Sequence, residues 1–188
     1  MEKKICAWPG KDELMIKYHD EEWGVPVHDD KKLFEFLILD VFQAGLSWQT
    51  ILRKRENFRK AFDGFDYEKI AKYDKEKLEE LKKDAGIIRN RLKIEAAVIN
   101  AQKFLEIQKE FGSFDKYIWQ FTSWKTKKNS FENFKGIPSR SAESDAMSAD
   151  LKTRGFKFVG STICYAFMQA AGMVNDHAID CFRHKELV

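Results

Sequence analysis

Cysteine and histidine residues near the two ends of this 188-residue chain have the types and spacing of metal ligands. Cys6 and His19 lie near the N-terminus, and His177 and Cys181 form an H-x3-C pair near the C-terminus. Two thiolates and two imidazoles can form a closed tetrahedral zinc site of the structural kind, which would join the chain ends. The long gap between the pairs fits no short zinc-finger pattern, so buried thiols and surface histidines remain the alternative interpretation.

A second group of residues lies in the first quarter of the chain and could bind a nucleobase. Its members are four aromatic and two polar residues: Trp8, Tyr18, Trp23, Trp48, Asp40 and Gln43. Aromatic faces stack on bases, and a cationic base gains a cation–π attraction. Asp40 lies in the apolar stretch FLILDVF, so its carboxylate is either solvated at a helix end or a buried functional group. The alternative is a set of core aromatics and an ordinary helix-end aspartate.

The segment GFKFVGSTICYAFMQAAG, residues 155–172, predicts a turn followed by a helix that could hold a phosphate. Ser161 and Thr162 follow Gly160 and can cap the start of the helix, where free backbone N–H groups attract anions. Three basic residues at this turn would strengthen an attraction to nucleic acid: Lys152, Arg154 and Lys157. The alternative is an ordinary turn between two packed helices that binds no phosphate.

The elements that must position these residues are helices, because apolar residues recur with a helical period along most of the chain and no strand alternation is found. The pattern predicts helices over residues 32–42, 47–62, 74–85, 89–111, 113–121, 142–154 and 161–171. A polar, basic segment with a proline predicts a surface loop over residues 122–140, and the tail after residue 172 has no clear period. We therefore expect one all-α domain of roughly eight helices over residues 1–188.

Composition sets limits on function and location. The net charge of +3 permits nucleic-acid binding without requiring it, and the hydrophobic fraction of 44% is that of a globular protein. The first residues contain no apolar signal segment, and apolar runs such as residues 36–39 are too short to span a bilayer. Three sparse cysteines without an export signal indicate a reducing compartment. We expect a cytoplasmic protein with no membrane partner.

Five segments of the chain resemble those of one enzyme family. They are YHDEEWGVP (18–26), QAGLSW (43–48), LRKRENFRKAF (52–62), DAGIIRNRLKI (84–94) and RGFKFVGSTICYAFMQAAGMVNDH (154–177). These segments are similar to those of the 3-methyladenine DNA glycosylase I family, in the same order and over nearly the whole chain. Residues 122–140 are the least similar part.

The resemblance implies an activity and a fold. The family hydrolyses the N-glycosidic bond of 3-methyladenine in alkylated double-stranded DNA after the base has been flipped out, and it releases the free base. It belongs to the helix-hairpin-helix superfamily, whose hairpin contacts the DNA backbone and would here span about residues 143–172. The DNA-contacting residues at that element would be Lys157, Gly160, Ser161 and Thr162. A monomer is expected.

The resemblance also implies the site residues. One structural zinc ion would be held by Cys6, His19, His177 and Cys181. In the family a tyrosine and a tryptophan sandwich or line the excised base, and the residues expected in this pocket are Tyr18 and Trp48, with Trp8, Trp23 and Gln43 nearby. The pocket carboxylate of the family is a glutamate, whereas Asp40 stands at this position. We interpret Asp40 as the catalytic carboxylate, and because it is one methylene shorter, a bridging water could extend its reach to the base.

Two departures from the wider superfamily bear on mechanism. Many members have a catalytic aspartate in a V-D-T-H segment, where this chain has V-N-D-H with Asn175 at that position. Members that cleave the strand have a lysine where this chain has Thr162, so no Schiff base can form there and we expect base excision only. A non-catalytic helix-hairpin-helix protein that binds alkylation damage is the alternative, and Asn175 favours it.

Two further classes are disfavoured. A zinc hydrolase would need an open coordination position, and four protein ligands leave none for water. A purely structural helical interaction protein would leave the tryptophans near the N-terminus and the hairpin of residues 155–172 unexplained.

Overall fold

The computed structural model describes residues 3–187, and these residues form ten α-helices, three 3-10 helices and one pair of short strands. The α-helices are α1 (Glu13–Glu21), α2 (Asp30–Gln43), α3 (Trp48–Ala61), α4 (Tyr67–Ile70), α5 (Lys75–Lys83), α6 (Arg91–Phe111), α7 (Phe114–Ile118), α8 (Ala142–Thr153), α9 (Ser161–Ala170) and α10 (Phe182–Glu186). The 3-10 helices are Asp63–Phe65, Trp119–Thr122 and Phe134–Gly136. The prediction of a mostly helical chain is confirmed, although the pattern did not reveal α1, α4 and α10. None of the helices formed by residues 3–187 combines the length and the hydrophobicity that a membrane-spanning segment needs.

One short parallel strand pair departs from the expected all-helical pattern. Strand β1 (Lys127–Lys128) pairs with β2 (Val174–Asn175). The sequence predicts only a loop in residues 122–140, because a strand of two residues is too short to show alternation. The hydroxyl of Thr126 also donates to the carbonyl of Gly172 at 2.7 Å. This loop is therefore anchored to the segment that follows α9.

Asp12 begins α1 and also holds that helix against α3. Its carboxylate accepts hydrogen bonds from the backbone N–H groups of Leu14 and Met15, which satisfies the first turn of the helix. The same carboxylate accepts from Gln49 at 2.8 Å and from Arg53 at 2.7 Å, both on α3. The positions of α1 and α3 are thus coupled, and both helices contribute residues to the candidate site described below.

The central helix α2 is buried on all sides, with consecutive buried residues from Leu33 to Phe42. It packs against α3, α6, α7 and α9 and forms the middle of the hydrophobic core. Two carboxylates interrupt its apolar surface. Glu35 is paired with Arg55 at 2.7 Å and with Arg59 at 2.8 Å. Asp40, in contrast, forms no ion pair with any of residues 3–187.

Helices α8 and α9 lie against each other and are joined by a tight turn. Gly155 follows α8 with a φ of +93°, a left-handed conformation that glycine adopts without strain. Asn100 of α6 holds the turn, because its amide group donates to the Lys157 carbonyl at 3.1 Å and accepts from the Lys157 N–H at 2.8 Å. Ser148 donates to the Val159 carbonyl at 2.7 Å. Side chains of the neighbouring helices therefore fix the turn while the Lys157 side chain stays exposed.

Gly172, just after α9, lies in close contact with the segment that follows α1. The backbone N–H of Gly24 donates to the carbonyl of Gln169 at 2.9 Å, which brings the two segments together. A Cβ atom at Gly172 would lie 2.3 Å from the carbonyl carbon of Val25, and the φ of Gly172 is +69°. Both the distance and the backbone conformation therefore require glycine here.

The Gly172→Ala variant is expected to lose about 3 kcal/mol of unfolding free energy, because the added methyl group meets backbone atoms and the positive φ becomes strained. Chemical denaturation of the two proteins measures this loss. Gly160→Ala is the matched control, since the space around Gly160 is open and the expected change is below about 1 kcal/mol. Equal losses in the two variants would contradict the close approach at Gly172.

Candidate functional site

A cavity of about 420 Å³ opens between α1, α2, the start of α3 and α9. Its lining residues are Trp8, Met15, Tyr18, Trp23, Asp40, Gln43, Trp48, Phe134, Ala166 and Gln169. All six candidate base-binding residues singled out in the sequence lie in this lining. We refer to it as the aromatic cavity.

Tyr18 and His19 are neighbours on α1 but belong to two different sites. Successive residues on an α-helix point about 100° apart. Tyr18 therefore lines the aromatic cavity, while His19 faces the cysteines of the two chain ends. Both side chains are buried. One short helix thus forms part of the cavity and part of a candidate metal centre.

The last turn of α2 carries the polar cavity residues Asp40 and Gln43. The Lys93 ammonium group of α6 donates to the carbonyls of Phe42 at 2.9 Å and Ala44 at 2.5 Å. A cation is favourable at this position, because the last carbonyls of a helix are unpaired and its C-terminus carries partial negative charge. Lys93 therefore fixes the end of α2 and, through it, the two cavity residues.

The sequence QAGLSW turns the chain sharply from α2 into α3. Gly45 has a φ of +79°, which a glycine can adopt without strain. Ser47 then caps α3 by accepting a hydrogen bond from the backbone N–H of Thr50. Trp48 is therefore the first residue of α3, and its indole lies in the cavity lining.

The aromatic rings of the cavity pack against one another. Trp8 lies edge-on to Trp23, with ring centroids 5.0 Å apart, and to Tyr18 at 6.3 Å. The centroids of Tyr18 and Trp48 are also 5.0 Å apart. A ring inserted between two others needs about 7 Å, which is two van der Waals contacts of about 3.5 Å each. Tyr18 and Trp48 therefore line the cavity but leave no room to sandwich a base in this structure.

Asp40 has an unusual electrostatic environment. It is 2% exposed, and its Oδ2 atom has no hydrogen-bond partner among the described residues. Burial raises the pKa of this carboxyl group well above its usual range, because the charged form loses its hydration. Burial, and next the charge of Asp40, raises the pKa of Tyr18, and burial raises the pKa of Cys164 to about 12. These titratable neighbours of Asp40 therefore stay neutral at physiological pH.

Two indole N–H groups in the cavity also lack partners. The Nε1 atoms of Trp8 and Trp48 are buried and form no hydrogen bond within residues 3–187. A buried polar group without a partner costs about 1–3 kcal/mol. Unmet hydrogen-bonding capacity concentrated in one cavity is expected where a ligand supplies the partners.

Several cavity residues were not singled out from the sequence: Met15, Phe134, Ala166 and Gln169. Helical spacing could have indicated some of them, since Met15 precedes Tyr18 by three residues and residues three apart share a helix face. Phe134 comes from the loop over residues 122–140 and is 55% exposed. No pattern in that loop indicated that it reaches the cavity.

Three of the four predicted metal ligands converge. The ligand atoms of Cys6, His19 and Cys181 all lie within 4.8 Å of one another, and all three residues are buried. The Nε2 atom of His19 is 3.5 Å from the Cys181 sulfur, and its Nδ1 atom contacts Asp20 at 2.6 Å. The hydrogen bond from the Cys6 thiol lowers the pKa of Cys181. We refer to Cys6, His19 and Cys181 as the Cys/His cluster.

His177 lies beside the Cys/His cluster but is not part of it. Its ring centroid is 4.8 Å from that of His19, and its Nδ1 atom is 3.1 Å from the Asn175 side-chain oxygen. Its Nε2 atom is buried and without a partner in the described part of the chain. Burial lowers the pKa of His177 to about 4, so the imidazole is neutral, the form that binds metal ions. An unpartnered imidazole nitrogen beside two thiols and a second imidazole fits the donor set of a structural zinc site.

The start of α9 differs from the sequence prediction in one respect. Gly160 is the N-cap residue and no side chain caps the helix, so Ser161 and Thr162 lie within the first turn instead of capping it. The N–H groups of that turn are consequently left without a side-chain acceptor. Arg154, which was expected to attract phosphate, is bound by Asp150 at 2.8 Å.

Asn175, which the resemblance aligns with a catalytic aspartate, has a structural role. Its amide group donates to the carbonyl of Leu187 at 2.8 Å, and its oxygen accepts from the backbone N–H of His177 at 3.2 Å. The adjacent Asp176 is also buried and accepts a hydrogen bond from Gln169 at 2.8 Å. Neither Asn175 nor Asp176 lines the aromatic cavity.

Comparison with known proteins gives consistent matches over most of the chain. The model of the methyladenine glycosylase family matches residues 8–184. The chain is 49% identical over 176 residues to DNA-3-methyladenine glycosylase 1 of Escherichia coli (strain K12), covering 94% of each sequence. A crystal structure of 3-methyladenine DNA glycosylase I superposes with a TM-score of 0.93 at 47% identity, over 95% of this chain and 98% of that one. A tyrosine-to-phenylalanine variant of 3-methyladenine DNA glycosylase I in complex with 3-methyladenine superposes with a TM-score of 0.91 at 37% identity, over 94% and 95%. The resemblance seen in the sequence segments is confirmed.

The Asp40→Asn variant is expected to be more stable than the natural protein at neutral pH, because it removes a carboxyl group whose ionisation is disfavoured by burial. A gain of about 1 kcal/mol corresponds to a rise in Tm of about 2–4 °C. A raised folded-state pKa means that the unfolded state ionises first, so the natural protein loses stability as pH rises above the usual carboxyl range. The difference between the two proteins should therefore shrink as pH is lowered towards that range.

Thermal denaturation at several pH values measures this difference. Glu35→Gln is the matched control on the same helix, because Glu35 is paired with Arg55 and its loss should destabilise the protein by about 3–5 kcal/mol. If both variants lose stability at neutral pH, Asp40 is held by partners that the structure does not show.

Proposed function

The chain belongs to the methyladenine glycosylase family, and on that premise we propose that it is a monofunctional DNA glycosylase. It hydrolyses the N-glycosidic bond of 3-methyladenine in alkylated double-stranded DNA, releases the free base and leaves an abasic site. The observation that carries this function is the aromatic cavity, which combines ring faces with a buried, unpartnered carboxyl group.

The substrate itself supplies much of the reactivity. Methylation at N3 gives the adenine ring a positive charge and weakens its bond to the sugar, whereas neutral adenine has neither property. Enzymes that act on a base in a duplex rotate it out of the stack into a pocket. A cavity of about 420 Å³ is large enough for one small ligand. The rings of Tyr18 and Trp48 are too close together to enclose a base between them, so they attract a flat cation from one side by stacking and cation–π contact.

Asp40 provides the charge that favours the methylated base. Burial favours its neutral form in the empty cavity, and a cation beside it stabilises the carboxylate, so that a proton is released when the base enters. The same negative charge stabilises the positive charge that develops on the sugar as the glycosidic bond breaks. The base leaves as a neutral molecule with the electron pair of the broken bond, and water adds to the sugar carbon and releases a proton. Because aspartate is shorter than glutamate, a bridging water could link its oxygen to the base.

We assign DNA-backbone binding to α8, the following turn and α9, about residues 143–172, in the manner of helix-hairpin-helix proteins. The N–H groups of the first turn after Gly160, including those of Ser161 and Thr162, have no capping side chain and are available to a phosphate. The exposed Lys157 adds an electrostatic attraction. This element therefore supplies the sequence-independent part of DNA binding.

Helix α9, which belongs to the DNA-binding element, also lines the aromatic cavity. Ala166 and Gln169 of this helix line the cavity. Ala166 lies five residues after Ser161, which corresponds to about 7–8 Å along the helix axis. A DNA phosphate held at the start of α9 is therefore within reach of the sugar of a base that has entered the cavity.

The cavity supports base excision without strand cleavage. Cleavage by a lyase mechanism requires an amine that forms a Schiff base with the sugar. No lysine occurs among the cavity-lining residues of the described chain. Thr162, at the position where strand-cleaving members have lysine, offers only a hydroxyl group.

We also propose that one zinc ion is bound by Cys6, His19, His177 and Cys181. When bound, the ion supplies a covalent-like link between the N- and C-terminal segments and takes no part in hydrolysis. The convergence of the Cys/His cluster and the unpartnered Nε2 atom of His177 support this assignment. Trp23 lies between this centre and the cavity, with its ring centroid 4.6 Å from that of His177. The zinc site would therefore hold a wall of the aromatic cavity in place.

We propose that residues 1–188 act as a single domain, as a monomer in the cytoplasm, without a membrane partner. One hydrophobic core cluster extends from Cys6 to Cys181, which supports a single domain.

A non-catalytic protein that binds alkylated DNA remains a second candidate function, because Asn175 replaces the superfamily aspartate and has a structural role. It would share the aromatic cavity and the DNA-binding element. The two functions differ in turnover, since only a glycosylase releases more free base than there are protein molecules.

Incubation of the protein with methylated duplex DNA is expected to release free 3-methyladenine with turnover, and the strand should stay intact. Trp48→Ala should lower the rate of release by about 10- to 100-fold, because a base–aromatic stacking contact is lost. Binding to undamaged duplex should change little. Chromatography of the released bases measures the rate.

Trp124→Ala is the matched control, since Trp124 is 65% exposed and does not line the cavity. Its rate of base release should equal that of the natural protein. Absence of released base would reject the glycosylase function, and an equal effect of the two tryptophan variants would reject the assignment of the cavity.

Elemental analysis of protein purified without chelator is expected to give about one zinc ion per chain. Cys6→Ala should lose the metal and lower Tm, because metal binding free energy contributes to folding. Cys164→Ala is the control, since Cys164 is buried outside the Cys/His cluster and should leave the metal content unchanged. Natural protein without metal would refute the zinc assignment.

A further inference from the structure

The side-chain amide of Gln169 is shared between the protein interior and the aromatic cavity. Its Nε2 atom donates to the Oδ2 atom of Asp176 at 2.8 Å, and the residue also lines the cavity. Its carbonyl oxygen, Oε1, accepts no hydrogen bond from residues 3–187. This oxygen is not fully buried. The amide therefore donates a hydrogen bond inside the protein, whereas its carbonyl oxygen has no partner among the described residues.

Asp176 forces this orientation of the amide. It is 1% exposed, and its Oδ2 atom also accepts from the Tyr165 hydroxyl at 2.8 Å. Its Oδ1 atom accepts from Asn129 at 2.6 Å. A carboxylate only accepts hydrogen bonds. Rotation of the Gln169 amide by half a turn would set its carbonyl oxygen against a carboxylate oxygen, which is unfavourable in a buried place.

We propose that Gln169 determines specificity in the aromatic cavity and that Asp176 is its positioning residue. The Gln169 carbonyl accepts a hydrogen bond from the exocyclic amino group of the alkylated adenine. This inference rests on the proposed glycosylase function and extends it to the choice between alkylated purines.

The chemistry of the two purines explains the choice. Adenine carries an amino group, a donor, where guanine carries a carbonyl oxygen, an acceptor. Asp40 and Gln169 both line the cavity and both can accept, and the two N–H groups of one amino group are sufficient for two acceptors. Guanine would instead bring an oxygen towards these acceptors. A site with fixed hydrogen-bonding groups rejects a ligand that leaves them unpaired.

The test measures release of 3-methyladenine and 3-methylguanine from the same sample of methylated DNA under single-turnover conditions. The ratio of the two rate constants is an internal measure, because a loss of folded protein lowers both rates equally. Gln169→Met keeps the size of the side chain and removes the acceptor, so the ratio of adenine to guanine release should fall by about tenfold. Asp176→Asn should also lower the ratio, because an asparagine can donate and no longer forces the Gln169 amide into one orientation.

Asn129→Ala is the matched control. It removes a hydrogen bond to the other oxygen of Asp176 and leaves the bond to Gln169 in place. Its ratio should equal that of the natural protein even if its stability falls.

The outcomes separate this inference from the proposed function. If the natural protein releases neither base, the glycosylase function is wrong and the inference falls with it. If it releases 3-methyladenine and the ratio is unchanged in Gln169→Met, Gln169 does not determine specificity. If the ratio falls in Gln169→Met but not in Asp176→Asn, the positioning role of Asp176 is refuted.

Discussion

A buried carboxyl group is either paired with a cation or kept neutral by a raised pKa, and α2 contains one example of each, five residues apart. Glu35 meets the guanidinium groups of Arg55 and Arg59 and forms part of the structural core. Asp40 meets no cation of the described chain, and one of its oxygens is unpartnered. Burial therefore favours the neutral form of Asp40, and a cationic ligand beside it would stabilise the charged form. The selectivity proposed for this cavity follows from this difference, because neutral adenine carries no charge that would stabilise the carboxylate.

The walls of the cavity depend on contacts between the two ends of the chain. The Cys/His cluster joins residues near the N-terminus to Cys181 near the C-terminus. Trp8 and Trp23 pack against each other and against the histidines of this region. Since α1 carries both Tyr18 and His19, a displacement of the cluster would also displace a residue of the cavity lining. The Cys/His cluster and the aromatic cavity are thus parts of one packed unit.

Helix α9 and the residues after it combine three tasks in a short stretch of sequence. The start of the helix offers free N–H groups, its middle and end line the cavity, and Gly172 permits close contact with the segment after α1. Asp176 follows Gly172 by four residues and accepts a hydrogen bond from the side chain of Gln169. Several independent structural constraints therefore act on neighbouring residues of GFKFVGSTICYAFMQAAG, which makes this segment a specific sequence pattern.

The sequence by itself determined the long helices, because segments such as α3 and α6 repeat apolar residues over several turns. It also determined the chemical types of the candidate base-binding residues, since a tryptophan or an aspartate has the same functional groups in any fold. It did not reveal α1, which is nine residues long, or the strand pair formed by Lys127–Lys128. Only the tertiary structure decided that Asp40 lacks a partner, that Phe134 reaches the cavity and that Gln169 turns its carbonyl away from Asp176. These features arise when segments distant in sequence are brought together, and no local pattern encodes which side chains will meet.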